Sequence, residues 1–215
     1  MPSLRVSDKN PWHILFLLDD SGSMDGHSAD KVNLAMMNMV GELKKLSLGR
    51  PPYFRISIIK FGTLVSTVIE HQSEQSISTT DVDTLSGESG TTNAAAAFES
   101  AKNLLKKHPG TSNDFEPWVF FISDGVPDDK NAAIHQAARI KALAIPAGSP
   151  RIACLGFDNV NDAFMQTVAS KPSLYKHLDS VDLLERILPA IGTQLATTSE
   201  GAKGAEARFK DVTDV

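Results

Sequence analysis

The sequence predicts an α/β fold, doubly wound about a mostly parallel six-stranded sheet with one antiparallel edge strand and helices on both faces. Three observations carry this. Apolar runs of strand length alternate with stretches of helical period along most of the chain, which is the pattern of a doubly wound sheet. The runs Leu15–Leu18 and Trp118–Ile122 are apolar at every position, as strands buried on both faces are. Each run stops at oxygen side chains on a glycine-containing turn, Asp19 to Ser23 and Ser123-Asp124-Gly125. Strand ends of that kind are where open α/β sheets bind ligands.

Residues 1–11 read as a polar lead-in closed by Pro11, and Trp12–Leu18 as the first strand. Ser28 is an N-cap candidate for a helix in which Val32, Met36, Met39, Val40, Leu43 and Leu46 recur at threes and fours. Gly49-Arg50-Pro51-Pro52 ends it. Phe54–Phe61 alternates and is rich in Ile, a second strand. The short turn at Gly62-Thr63 predicts that Leu64–Glu70 returns as an antiparallel edge strand, since a parallel partner needs a long crossover. Residues 71–91 are polar and poorly patterned, and a loop of that length is often functional. The Ala94–Ala97 run through Leu105 is a helix of small residues that lets its start approach the sheet. Residues 109–117 read as a loop and Trp118–Ile122 as a strand. Then follow a helix over 129–145, a strand over 152–157, a short helix over 161–169 and a strand over 174–178. The last helix runs from Ser180 to Leu195, bent by Pro189. The domain spans 12–198, and 199–215, poor in apolar residues and holding Gly201 and Gly204, reads as a flexible tail.

Composition narrows the function. The chain of 215 residues carries a net charge of −5, which argues against a nucleic-acid binder that works through phosphates. No basic cluster suits an anionic membrane, and no window reaches the roughly 18 apolar residues of a membrane-spanning helix. The start lacks the apolar core of a signal peptide. A lone Cys154 in apolar surroundings reads as a buried, inert thiol. These features together predict a cytoplasmic protein.

The chemistry lies in the turns. Asp19, Ser21 and Ser23 alternate around Gly22 and present a carboxylate and two hydroxyls. Such oxygens suit a hard cation such as Mg²⁺ or Mn²⁺, not the thiolate and imidazole set of a zinc site. The spacing Asp19-x-Ser21-x-Ser23, then Ser89-Gly90-Thr91-Thr92-Asn93, then Asp124-Gly125, resembles the metal-ion-dependent adhesion site of von Willebrand factor type A domains. The likeness extends over the order of elements from about Trp12 to Thr198. It implies that Ser21, Ser23 and Thr92 touch the metal through hydroxyls, while Asp19 and Asp124 act through bound water or by orienting the serines. Thr92 is preferred over Thr91 because the family's Thr follows two small residues, here Gly90-Thr91. Thr91 stands where a second Gly is common, so the choice between the two stays open at this level. The resemblance further implies a binding module with no catalysis, in which another protein supplies an acidic side chain to the metal.

Within the family, Ser-Gly-Thr-Thr before an Ala-rich helix and Trp118 on a strand leading to Ser-Asp-Gly-Val-Pro resemble the bacterial tellurite-resistance-associated TerY-like group. That likeness implies an adaptor or scaffold in a stress-response system with a kinase and a phosphatase. The alternative is a scaffold that binds through another face and keeps the metal as a structural ion.

Enzyme readings fare worse. Phosphatases of the haloacid dehalogenase type need Asp-x-Asp after the strand, where this chain has Asp19-Asp20-Ser21. Gly110-Thr111-Ser112 matches only three letters of a subtilisin-type nucleophile segment, and no His has the context of a triad. A P-loop motif is missing. His71, His108, His135 and His177 show no metal spacing, and His27 reads as a solvated loop residue. Asp20 reads as a rim carboxylate, with Asp25, Glu88, Asp128 and Asp129 also on the rim.

Overall fold

The computed structural model describes residues 6–197 and 201–213. Its strands are β1 (Trp12–Asp19), β2 (Phe54–Phe61), β3 (Val65–Ser73), β4 (Phe115–Ser123), β5 (Arg151–Phe157) and β6 (Tyr175–Leu178). They form one six-stranded sheet in the order β3-β2-β1-β4-β5-β6. All neighbours are parallel except β2 and β3, which run antiparallel as the short Gly62-Thr63 turn requires. The helices are α1 (His27–Leu46), α2 (Thr79–Val82), α3 (Ala94–Lys107), α4 (Lys130–Lys141), α5 (Asp162–Val168), α6 (Leu184–Thr197) and α7 (Gly201–Thr213).

Strand β4 shows how the two layers form. Side chains alternate across a strand, and Trp118 and Phe120 meet Phe209 of α7 on one face. Phe121 meets Phe98 of α3 and Phe164 of α5 on the other. Helices α1, α6 and α7 pack together on the first side, and α3, α4 and α5 on the second. Strand β1, buried at all its positions, lies between β2 and β4. The chain leaves β1 toward β2 and later crosses to β4, so the sheet's switch of direction falls between β1 and β4.

Three expectations are corrected. The segment 71–91 is less free than its composition suggests: β3 continues through Ser73, and α2 follows. Buried polar side chains pin it. Glu74 accepts from the Tyr53 and Phe54 N–H groups at 2.9 and 3.1 Å. Asn33 of α1 accepts from Thr84 and Leu85 N–H and donates to the Leu85 carbonyl. The loop expected over 109–117 gives way at Phe115, where β4 begins and Pro117 is accommodated inside it. The flexible tail expected over 199–215 is a helix over 201–213, with Phe209 and Val212 buried. Residues 198–200 and 214–215 of that segment, and 1–5 of the lead-in, lie outside the described residues.

Candidate metal centre

The C-terminal ends of β1 and β4 bring the first and third motifs side by side. Asp19 is the last residue of β1 and Ser123 the last of β4, so Asp124 leaves the sheet next to Asp19. Asp19 is fully buried. Its Oδ1 accepts from the Ser21 N–H at 2.9 Å and its Oδ2 from the Ser123 hydroxyl at 2.5 Å. Ser21 and Ser23 hydroxyls lie 3.2 Å apart, and Ser23 donates to Asp124 Oδ1 at 2.7 Å. A hydroxyl that spends its proton on a carboxylate turns its lone pairs outward.

The second motif is delivered by backbone ties. Gly22 N–H donates to the Gly90 carbonyl at 2.8 Å, and Ser89 N–H to the Asp20 carbonyl at 3.0 Å. Gly90 takes φ +75°, and a Cβ there would fall 2.5 Å from Thr63 Oγ1, so only glycine fits this passage. Asn93 then caps α3, accepting from Ala96 N–H. Thr92 is buried and lines a cleft of about 590 Å³ with Ser23, Asp124, Gly125 and Asp158. Thr91 is exposed and its hydroxyl faces Thr63 Oγ1 at 3.4 Å, away from that cleft.

The five predicted site residues, Asp19, Ser21, Ser23, Thr92 and Asp124, thus meet at one place. The space above Gly125 measures how closely. A Cβ on Gly125 would stand 3.4 Å from Ser23 Oγ, 3.5 Å from Thr92 Oγ1 and 3.9 Å from Asp19 Oδ2. Three oxygens, two from the turn after β1 and one from the Thr92 loop, therefore surround one point that a glycine of the third loop leaves clear. The donor set, hydroxyls backed by carboxylates, fits a hard divalent cation. Among the described residues no group of three or more His, Cys, Asp or Glu is arranged to hold an ion.

The electrostatics agree with that fit. Burial pushes Asp19 up to about 6, against hydrogen bonds from Ser123 and Ser21, and the Asp124 charge adds to the rise. Burial likewise raises Asp124, opposed by the Ser23 hydrogen bond and helped by the charge of Asp158. Two desolvated carboxylates side by side resist ionising, and a cation between them would reverse that.

Several rim assignments change. Asp20 is fully buried and lies beneath the loop, not on the rim. Its carboxylate accepts from Ser86 N–H, Gly87 N–H and the Ser89 hydroxyl at 2.6, 2.8 and 2.6 Å and pairs with Lys60 at 3.2 Å. Burial opposes its charge, but the Ser89, Gly87, Ser86 and Lys60 contacts prevail and hold its pKa below the ordinary value. Asp128 accepts from the Thr92 N–H, and Asp129 caps α4. His27 is exposed and lies 3.4 Å from Asp182.

Sequence reasoning gave Ser123 no role and passed over the Val126, Asp158 and Asn159 lining. Asp158 follows the end of β5 at φ +54°. A carboxylate just past a third parallel strand was the available signal.

Known proteins share this fold. The sequence profile of the von Willebrand factor type A domain matches residues 13–190. No curated protein matches the chain by sequence. Among solved structures, the pilus adhesin SpaC of Lactobacillus rhamnosus GG superposes with a TM-score of 0.76 at 16% identity, over 91% of this chain and 32% of SpaC. Proximal thread matrix protein 1 of the mussel byssus, with zinc occupying its MIDAS motif, gives 0.65 at 16% identity, over 88% of this chain and 49% of that one. Manganese-loaded TRAP of Plasmodium vivax gives 0.59 at 21% identity, over 86% of this chain and 75% of that one. At these identities the likeness is one of fold, and the chain spans about a third of SpaC and half of the byssus protein.

Proposed function

The chain belongs to the von Willebrand factor type A family, and from that premise we propose that it binds Mg²⁺ or Mn²⁺ and holds another protein through the ion. The observation that carries the proposal is the convergence of Ser23, Thr92 and Asp19 oxygens on the point above Gly125. In this reading Ser21, Ser23 and Thr92 offer hydroxyl oxygens, while Asp19 and Asp124 orient the serines and supply the negative charge. Asp124 takes the Ser23 proton in a hydrogen bond, and Asp19 fixes the turn through the Ser21 N–H. When bound, the cation supplies an open coordination position that a carboxylate of the partner can occupy. Neutral hydroxyls leave most of its charge uncompensated, which favours an anionic partner group. Asp158 and the exposed Val126 beside the cleft select what flanks that group, since a second acidic residue there would be repelled. No bond is made or broken.

The wider reading is a cytoplasmic adaptor or scaffold in a tellurite- or stress-response system with kinase and phosphatase partners. Its support is the likeness of Ser89–Asn93 and of the Trp118 strand with Ser123–Pro127 to the TerY-like group. No helix of the described residues is long and apolar enough to cross a membrane.

The test is capture from cell lysate in Mg²⁺ or EDTA with wild type and Thr92→Ala, beside a calorimetric titration of Mg²⁺. The expected result is a protein retained only by wild type with Mg²⁺, and loss of cation binding in the variant. Retention in all four conditions would move the binding surface elsewhere and leave the ion structural.

A further inference from the structure

On its β5 side the cleft over the proposed cation centre is walled by Asp158. Asp158 and Asn159 are the central residues of a turn that the Val160 N–H closes on the Phe157 carbonyl at 3.3 Å. Asp158 takes φ +54° there, a conformation that costs most residues with a Cβ more than it costs Asp. The turn leaves its side chain exposed, and the carboxylate forms no hydrogen bond or ion pair with a described residue.

The carboxylates beneath it are engaged. Asp19, Asp20 and Asp124 each accept from hydroxyl or N–H groups of the site loops. The lysines that reach this end from β2 and α1 are engaged as well. Lys60 pairs with Asp20 at 3.2 Å, and Lys31 with Asp182 and Glu185 at 3.0 and 2.5 Å. Asp158 therefore stands at the cleft as a charge that none of these neutralises. The other end of β1 is built around imidazoles: His71, at φ +47°, stacks on His108 with centroids 4.2 Å apart and meets His13 edge to face at 4.7 Å.

A second feature of the cleft calls for a ligand independently. Thr92 is only 7% exposed, yet its hydroxyl faces the space above Gly125 and bonds to no described residue. A buried polar group without a partner is uncommon. Val126, 49% exposed on the same lining, adds apolar surface.

We infer that the partner segment carries a Lys or Arg two residues from the carboxylate it lends to the ion, and that Asp158 pairs with it. The inference rests on the proposed cation centre and adds what stands beside the ligand carboxylate. Sheet geometry supports the spacing. The cation point lies at the ends of β1 and β4, and β5 is the next strand. Neighbouring strands are about 4.8 Å apart, so Asp158 lies one to two spacings away, about 5 to 10 Å. Side chains i and i+2 of an extended segment share a face and stand about 7 Å apart. The aliphatic stem of the Lys or Arg covers Val126 while its charged head reaches Asp158. A second acidic residue at that position would be repelled, and an apolar one would leave Asp158 unpaired.

The test probes the full chain with an array of Gly/Ser peptides that hold a central Glu, with one Lys placed at each position on either side in turn. Peptides without Lys and peptides with a central Gln are the controls, and binding is read in Mg²⁺ and in EDTA. The expected result is Mg²⁺-dependent binding that requires the Glu. It should be about tenfold tighter with Lys two residues away than with Lys adjacent or absent, the worth of a charge-assisted hydrogen bond. Asp158→Asn keeps a side chain that tolerates positive φ and should bring the Lys peptide down to the level of the peptide with Glu alone. Glu-dependent binding that ignores the position of Lys, or the same Lys preference in Asp158→Asn, would overturn this inference and leave the cation reading in place. Binding of no Glu peptide in Mg²⁺, or equal binding in EDTA, would overturn the cation reading and this inference with it.

Discussion

Asp20 organises the cleft from underneath. Its carboxylate has no exposed surface and collects two backbone N–H groups, a hydroxyl and an ammonium from the loop that carries Thr92 and from β2. Removing one member of a buried charged network leaves the others unpaired, so Asp20→Ala should destabilise the fold by about 3 kcal/mol. A urea midpoint within error of wild type would contradict the role. The same change should weaken Mg²⁺ binding, because Ser86–Ser89 would no longer hold the approach to Thr92. Asp20 was legible as a strand-end acid but not as an anchor, because the loop groups it binds lie 66 to 69 residues later in the chain.

At the scale of elements, α7 is the segment that composition hides. Among its described side chains only Phe209 and Val212 are buried hydrophobics, three residues apart, too few to register as a helical period among Gly, Ala, Lys and Glu. Their effect depends on what they meet. Phe209 packs on Trp118 and Phe120, and Glu206 pairs with Arg151 and Lys171. Without α7 those β4 aromatics would face water. Phe209→Ala should cost about 3–5 kcal/mol, the usual range for a buried Phe, and deletion from residue 200 onward should lower the melting temperature clearly. A melting temperature unchanged by both would mean that α7 contributes no packing energy. The other helices were legible because each turns a longer stripe toward the sheet, as α1 does with Val32, Met36, Met39, Val40 and Leu43.

Across the whole molecule, the sheet sets two differently charged ends, and they respond to acid in opposite ways. Burial, with the nearby His71 and His108 charges, lowers His13 to about 3, and burial with the charges of His108 and Arg55 lowers His71 to about 4. Their ordinary value is about 6.5. The unfolded chain therefore binds more protons between about pH 6.5 and 4, and stability falls as pH falls through that window. Asp19, raised to about 6, does the reverse in metal-free protein: its contribution is full below the ordinary Asp range and is lost as pH rises through 6. Comparing wild type with His71→Asn in the same EDTA buffer isolates the histidines, since Asn tolerates positive φ. The variant should lose less stability than wild type between pH 6.5 and 4. Identical pH profiles would count against the buried neutral imidazoles.

The sequence by itself determined the alternation of strands and helices, the antiparallel edge and the five oxygen-bearing positions. The first two are written locally, in the period of apolar residues and the length of a turn; the five positions come from the spacing of Asp19, Ser21 and Ser23 together with the family resemblance that points to Thr92 and Asp124. The tertiary structure alone decided that Thr92 and not Thr91 faces the cleft, that Asp20 lies beneath it, that 201–213 is a helix, and that three histidines meet at the opposite edge. Those outcomes depend on which distant backbone arrives beside a side chain. That follows from the strand order and from backbone ties such as Gly22 to Gly90, and neither has a local signature in the chain.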